Sequence, residues 1–231
     1  MNTAYISEIY PTHQGEGPFT GERQLFVRLA GCPLRCRYCD TPGSLVAKAH
    51  EAVDGQKACE RILQICCDEM IRTVSLTGGE PLAQVDFLKR LFPFLKRNQL
   101  RIYLETAGIH YEALSKVIEY CDVVAMDIKL PSATGQIFWN EHREFLKIGK
   151  EKIFVKIVIE KHSPELELKQ ALSLLKTLDS PPLLVLQQVT PQSSGIEPPS
   201  EDQMEEFVRF ARALIPRVHV MSQQQKIWAI R

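Results

Sequence analysis

Three cysteines near the start of the chain, in the run Gly31-Cys-Pro-Leu-Arg-Cys-Arg-Tyr-Cys-Asp-Thr41, are spaced C-x3-C-x2-C: Cys32, Cys36 and Cys39. Thiolates this close in sequence share one metal centre, and closed zinc or iron–sulfur sites take four protein ligands. No fourth cysteine or histidine follows at a matching interval, so one coordination position stays open. An open position suits binding and activating a small molecule. The competing reading is a zinc site completed by a distant ligand such as His13.

Regular elements must carry this loop. Residues 4–10 alternate as a strand and Gln24–Leu29 form a second β-rich run, with the Gly-rich stretch Thr12–Gly21 read as irregular between them. Asp54 is placed to cap a helix from about Gly55 to Met70, with Ala58, Ile62, Ile65, Cys66 and Met70 at helical spacing. A strand from Thr73 then runs into a Gly-Gly turn. Helices over 84–97, 110–120, 164–178 and 201–214 alternate with strands over 101–105, 122–127, 153–159 and 183–188. The segment 129–150 reads as irregular, with a short helix near 140–147. Strict β–α alternation with apolar strands predicts an α/β fold with a parallel sheet covered by helices. About six βα units are visible, which predicts an open, partial barrel. Polar residues gather where strands end, at Thr77–Glu80, Glu105 and Thr106, Asp127 and Lys129, and Gln187 and Gln188. The carboxyl ends of parallel strands form the ligand face in such folds.

Composition narrows the function. With 231 residues and 45% apolar content the chain supports one core, so residues 1–231 are expected to form a single domain. A loop at about 10–22 and a tail at about 217–231 are expected to close its site. Lys and Arg (28) balance Asp and Glu (28), so no net field steers the chain to nucleic acid or an anionic membrane, and a small-molecule partner is expected. No basic-then-apolar leader follows Met1 and no run approaches a membrane span, which predicts a cytoplasmic protein. Seven cysteines is an odd count, and outside the cluster Cys59, Cys66, Cys67 and Cys121 read as small buried hydrophobes rather than a disulfide framework.

The cysteine loop after a strand, with Tyr38 just before the last cysteine, resembles the signature of the radical S-adenosylmethionine enzymes. The resemblance implies a four-iron, four-sulfur (4Fe-4S) cluster held by Cys32, Cys36 and Cys39, with S-adenosyl-L-methionine on the open iron. Reduction then cleaves that cofactor to a 5′-deoxyadenosyl radical that abstracts hydrogen from substrate. Thr77-Gly-Gly-Glu-Pro81 looks like the superfamily's GGE motif, in which Gly78 and Gly79 allow close backbone approach and Glu80 accepts hydrogen bonds from the cofactor's ammonium.

Gln14-Gly-Glu-Gly17, Phe26–Cys32, Cys39-Asp-Thr41, Thr77–Leu82, Glu105-Thr106 and Asp127–Ser132 together resemble the 7-carboxy-7-deazaguanine synthase family over nearly the whole chain. That resemblance implies a magnesium-dependent carbon–nitrogen lyase. It would contract the ring of 6-carboxy-5,6,7,8-tetrahydropterin, with loss of ammonia, on the route to queuosine. It also implies that Gln14, Gly15, Glu16, Arg28 and Thr77 contact the pterin, that Asp40 and Thr41 (Mg2+) serve the magnesium ion, and that Tyr38, Thr106, Ser132 and Gln187 or Gln188 contact the cofactor. A homodimer and a reductant such as flavodoxin or ferredoxin are implied as well. At the C-terminus the family's Gln-x-His-Lys pattern becomes Gln223-Gln-Gln-Lys226, so Gln225 stands in the histidine's place, while the carboxylate of Arg231 would still reach substrate. Glutamine keeps a donor and an acceptor but does not titrate. The segment Pro42–Val46 also lacks an aromatic common in relatives. A glycyl-radical activating enzyme shares the cysteine spacing, and a non-radical iron–sulfur electron-transfer module is the alternative from another class.

Overall fold

The computed structural model describes residues 3–191, 195–224 and 228. In chain order its elements are β1 (Thr3–His13), β2 (Arg23–Leu29), β3 (Ala52–Asp54), α1 (Gly55–Asp68), β4 (Thr73–Gly78), α2 (Val85–Arg97), β5 (Arg101–Thr106) and α3 (Tyr111–Ser115). There follow β6 (Val123–Asp127), α4 (Pro131–Thr134), α5 (Trp139–Gly149), β7 (Ile153–Ile159), α6 (Glu165–Lys176), β8 (Leu184–Gln188), α7 (Glu201–Leu214) and β9 (Val218–Met221). One sheet of nine strands has the order β3-β1-β2-β4-β5-β6-β7-β8-β9. From β2 onward every neighbouring pair is parallel, and β1 runs antiparallel to both β2 and β3. The sheet does not close, which is the open α/β arrangement the alternation predicts.

The two-residue period of a strand divides the chemistry. Val74 and Leu76, Ile102 and Leu104, Val124 and Met126, Val155 and Ile157, and Leu184 and Leu186 all point into the main core beneath the helices. Their neighbours face the other way: Thr77, Tyr103 and Glu105, Ala125 and Asp127, Phe154 and Lys156, and Gln187 line a cavity on the opposite face. Thus a strand that reads as a continuous apolar run still delivers one polar side chain per strand to its carboxyl end. The β2–β4 register sets Arg28 opposite Thr77 and Leu29 opposite Gly78.

Several expectations need correction. Asp54 caps α1 by accepting from the backbone N–H groups of Gln56 and Lys57, but the helix ends at Asp68 and Met70 is 84% exposed rather than core. Met70 takes φ 53°, and Ile71 N donates to Cys66 O while Met70 N donates to Cys67 O. This is the Schellman closure that glycine usually occupies. Cys67 is exposed, one helical step of roughly 100° from buried Cys66. The helix expected over 110–120 is regular only across Tyr111–Ser115, whereas the short helix expected near 140–147 is present as α5 and runs slightly longer, over Trp139–Gly149. Strand β1 continues through His13 into what reads as loop, and β3 and β9 are additional edge strands. Among the described residues no helix is long and apolar enough to cross a membrane.

Candidate active site

A cavity of about 640 Å3 opens at the carboxyl ends of the parallel strands, within the range of small-molecule sites. Cys32, Cys36 and Cys39 lie on one wall, in the loop that leaves β2 directly. Main-chain bonds fix that loop: Cys32 N donates to Leu45 O, Arg37 N to Ala133 O, and Cys39 N to Cys36 O. The Arg35 guanidinium caps the carbonyls of Cys32 and Leu34. All three sulfurs are half-buried. Burial pushes the Cys32 thiol up to about 11, and burial likewise raises Cys36 against the opposing pull of Lys129. Among the described residues no three His, Cys, Asp or Glu side chains converge on one ion, and His13 stands exposed at the cavity rim. Three thiolates with no fourth protein donor converging beside them among the described residues suit a cluster with one open iron better than a closed four-ligand zinc site.

The Gly-Gly turn is dictated by the chain next to it. At Gly78 (φ 123°) a Cβ would fall 2.2 Å from Leu29 O, and at Gly79 it would fall 2.3 Å from Gly31 O. Gly79 N and Glu80 N donate to those same two carbonyls, at 2.8 Å each. The turn therefore plugs onto the start of the cysteine loop. Glu80 is buried behind the turn. Its Oε1 accepts from Leu82 N and the Thr106 hydroxyl, and its Oε2 accepts from Ala107 N. Burial raises its pKa while those bonds oppose the rise. The buried His142 of α5 meets Ala107 O through Nε2 at 3.1 Å, so the peptides flanking Ala107 are gripped on one side by Glu80 and on the other by His142.

Across the cavity, Glu105 organises the opposite wall. Its Oε1 accepts from Gln14 Nε2 at 2.9 Å and its Oε2 from the Thr77 hydroxyl at 2.6 Å. Burial, then the nearby Glu16 carboxylate, raises its pKa. Gln14 Oε1 in turn takes Glu16 N at 3.0 Å. Arg28 donates through Nε to Glu8 at 3.0 Å and through a terminal nitrogen to the Tyr10 hydroxyl at 2.6 Å. Asp40 and Thr41 are at the mouth, with the Thr41 hydroxyl 3.9 Å from Cys39 Sγ.

The floor is a charged network. Asp127 Oδ2 takes Lys129 Nζ at 2.8 Å and Lys156 Nζ at 3.2 Å, and Lys156 also donates to Glu16 Oε2 at 2.5 Å. Burial alone would lower the Lys156 pKa, but Glu16 and Asp127 more than offset it, and the net shift is upward. Asp127 Oδ1 and Gln187 Oε1 are buried with no hydrogen-bond partner among the described residues.

The fold thus brings together on one cavity Gln14, Gly15, Glu16, Arg28, Tyr38, Asp40, Thr41, Thr77, Gly78, Gly79, Thr106 and Gln187 with the three cysteines. Glu80, Ser132 and Gln188 are not among its lining. Ser132 instead donates from both its backbone N and its hydroxyl to Glu167. Gln225 and Arg231 lie outside the described residues. Sequence reasoning missed Lys156 and Gln223; Lys156 leaves a signal, a lone cation in the run Ile-Phe-Val-Lys-Ile-Val-Ile at the inward phase.

The match of residues 27–211 to the radical SAM superfamily places the chain in that superfamily. Within it the relatives are specific. The chain is 32% identical to the 7-carboxy-7-deazaguanine synthase of Geobacter sulfurreducens, over 94% of this chain and 96% of that one. It is 34% identical to the enzyme of that name from Methanopyrus kandleri, over 67% and 69% of the two chains. The chain belongs to the 7-carboxy-7-deazaguanine synthase family. Among solved structures, QueE from Escherichia coli superposes with a TM-score of 0.63 at 25% identity, covering 94% of this chain and 93% of that one. A radical SAM methyltransferase from Sphaerobacter thermophilus, at 13% identity and a TM-score of 0.66, covers 93% of this chain and 77% of that one and shares the fold.

Proposed function

We propose that the chain catalyses the reaction for which its family is named, forming 7-carboxy-7-deazaguanine from 6-carboxy-5,6,7,8-tetrahydropterin with loss of ammonia. One observation carries the reading: Cys32, Cys36 and Cys39, the Gly78–Gly79 turn and the Gln14–Glu16 and Arg28 set all line the same cavity. The donor set suits a 4Fe-4S cluster on the three cysteines. The two unpartnered buried oxygens, Asp127 Oδ1 and Gln187 Oε1, are acceptors awaiting donors, as the amino and hydroxyl groups of S-adenosylmethionine would provide. When bound, that pair supplies the radical.

The chain's own residues bind and orient. Glu16 offers a carboxylate to the N–H face of a pterin ring, and Gln14, held by Glu105, fixes the loop that carries it. Arg28 offers its guanidinium to the substrate carboxylate in place of Glu8. Thr77, also held by Glu105, faces the ring. Asp40 and Thr41 supply hard oxygen donors for a magnesium ion that keeps several waters. We further infer that the whole chain works as one domain, as a homodimer, with a flavodoxin or ferredoxin as reductant.

The test is anaerobic assay of iron- and sulfide-reconstituted protein with S-adenosylmethionine, the carboxypterin and a reductant, with and without magnesium. Deazaguanine product that falls with magnesium chelation is expected. An intact cluster that yields no deazaguanine overturns the reading.

A further inference from the structure

Lys129 lies just past the end of β6, and its side chain, only 14% exposed, is buried beside the cysteine loop. The ammonium donates to Asp127 Oδ2 at 2.8 Å and stands 5.2 Å from the centre of the Tyr38 ring. Tyr38 separates Cys36 from Cys39 in the chain, and Lys129 lines the same cavity as all three cysteines. Two features fix this approach. Ala133 O accepts Arg37 N at 2.9 Å, so the segment that follows Lys129 is tied to the middle of the loop. Ala133 and Tyr38 also belong to one apolar cluster, with Cys36 packed against it.

The ammonium keeps its proton in this dry place. Burial alone would lower its pKa, but Asp127, then Tyr38 and Cys36, more than offset it, and the net shift is upward. Of the charges acting on the Cys36 sulfur, Lys129 is the foremost. The loop carries two cations of its own, but Arg35 is exposed and Arg37 has half its side chain in solvent, where water and salt screen a charge.

One-electron reduction adds a negative charge and no proton to a cluster on these thiolates. A buried cation close by favours the reduced form, since net charge and solvent exposure set iron–sulfur potentials. From this placement we propose that Lys129 raises the reduction potential of the cluster: its ammonium offsets the charge of the incoming electron, which a flavodoxin or ferredoxin delivers. The inference rests on the cluster reading above. Neutralising Lys129 removes one positive charge without stranding Asp127, because Lys156 Nζ stays 3.2 Å from the same carboxylate oxygen.

The experiment measures the midpoint potential of the reconstituted cluster, by EPR of protein poised against mediators and without S-adenosylmethionine, so that altered cofactor binding does not enter. Lys129→Gln is expected to make the midpoint more negative by about ten-fold in the reduction equilibrium, or about 59 mV for one electron. That is the order of one unit charge acting across an interior of effective dielectric about 20. Lys129→Arg, which keeps the charge, should stay within about two-fold of wild type. Lys156→Gln takes an equal charge from the same network, but Lys156 acts on Tyr38 more weakly than Lys129 does, so its shift should be less than about three-fold. Lys129→Met serves if the glutamine variant does not fold. An unchanged midpoint in the neutral variants, or an arginine variant that shifts as far as they do, overturns the proposal. Neutral variants that fold but retain no cluster assign Lys129 to assembly and overturn it as well. Wild-type protein that assembles the cluster but makes no deazaguanine overturns the functional reading and leaves the Lys129 comparison intact. Wild-type protein that assembles no cluster overturns both.

Discussion

Gln223 donates its side-chain amide to Glu16 at 2.9 Å, joining residues 207 positions apart. The same nitrogen lies 3.4 Å from Asp40 Oδ2, and its carbonyl accepts the Thr190 hydroxyl at 2.5 Å. Beside it Gln224 N donates to Gly15 O at 3.1 Å, and Gly17 N reaches Met221 Sδ at 3.1 Å. The segments Gln14–Gly17 and Met221–Gln224 therefore meet beside the cavity. Gln223→Ala should raise the KM for substrate about ten-fold, the loss of one hydrogen bond to a charged group, while the melting temperature barely moves. Gln223→Glu should be worse, because it sets a further carboxylate against Glu16 and Asp40. Steady-state kinetics beside a thermal melt checks both.

Glu80 is surrounded by three donors, Leu82 N, Ala107 N and the Thr106 hydroxyl. Glu80→Gln turns an acceptor into a donor among donors, so it should destabilise the fold by about 1–3 kcal/mol, the cost of leaving a buried polar group unsatisfied. Urea denaturation of the apoprotein measures this. A side chain that served only a bound ammonium would leave the apoprotein's stability unchanged.

Gly79→Ala drives a methyl group to 2.3 Å from Gly31 O, backbone that cannot swing aside. We expect a loss of about 1–3 kcal/mol, as for overpacking, together with fewer irons retained per chain after reconstitution. Gly43→Ala, where a Cβ meets nothing within 4 Å, should change neither quantity. Iron analysis and unfolding curves on the two variants settle the contrast.

Burial lowers the His142 pKa to about 4, even though its bond to Ala107 O favours the charged ring. A histidine whose folded pKa lies below its unfolded value contributes stability that is fully present above the unfolded pKa. That contribution fades as pH falls from about 6.5 towards 4. His142→Gln, which keeps a donor for Ala107 O without a titrating ring, should flatten the acid side of the stability curve by up to about 3 kcal/mol, the linkage value of such a shift. Urea midpoints between pH 4.5 and 7.5 test this, and parallel curves for the two proteins would contradict it.

The parts of the site legible in the sequence follow from the period of a strand. Once Val74 and Leu76 or Ile102 and Leu104 are assigned to the core, Thr77 and Glu105 must face the opposite side, and the cysteine run announces itself by spacing alone. Lys156 obeys the same arithmetic but hides inside an apolar strand, where a lone cation carries no motif. Gln223 depends on the chain just after β9 meeting Glu16, a contact of long range that local pattern does not encode. Glu80 illustrates a third limit: its residue type does not reveal that its two oxygens accept from the backbone and hydroxyl groups of Leu82, Thr106 and Ala107. Met70 takes a glycine's conformation without being glycine, so the end of α1 bears no sequence mark.

Arg28 faces Thr77, and Leu29 faces Gly78, on successive rungs between β2 and β4. A slip of one residue on that ladder would turn Arg28 out of the cavity and at the same stroke drag the Gly-Gly turn off the carbonyls that seat it. Insertions and deletions in β2 should therefore be lethal to both halves of the site at once, so descent can tolerate only substitution there. Diversification of substrate preference is left to the side chains that reach the cavity from outside that ladder, such as Glu16 and Gln223.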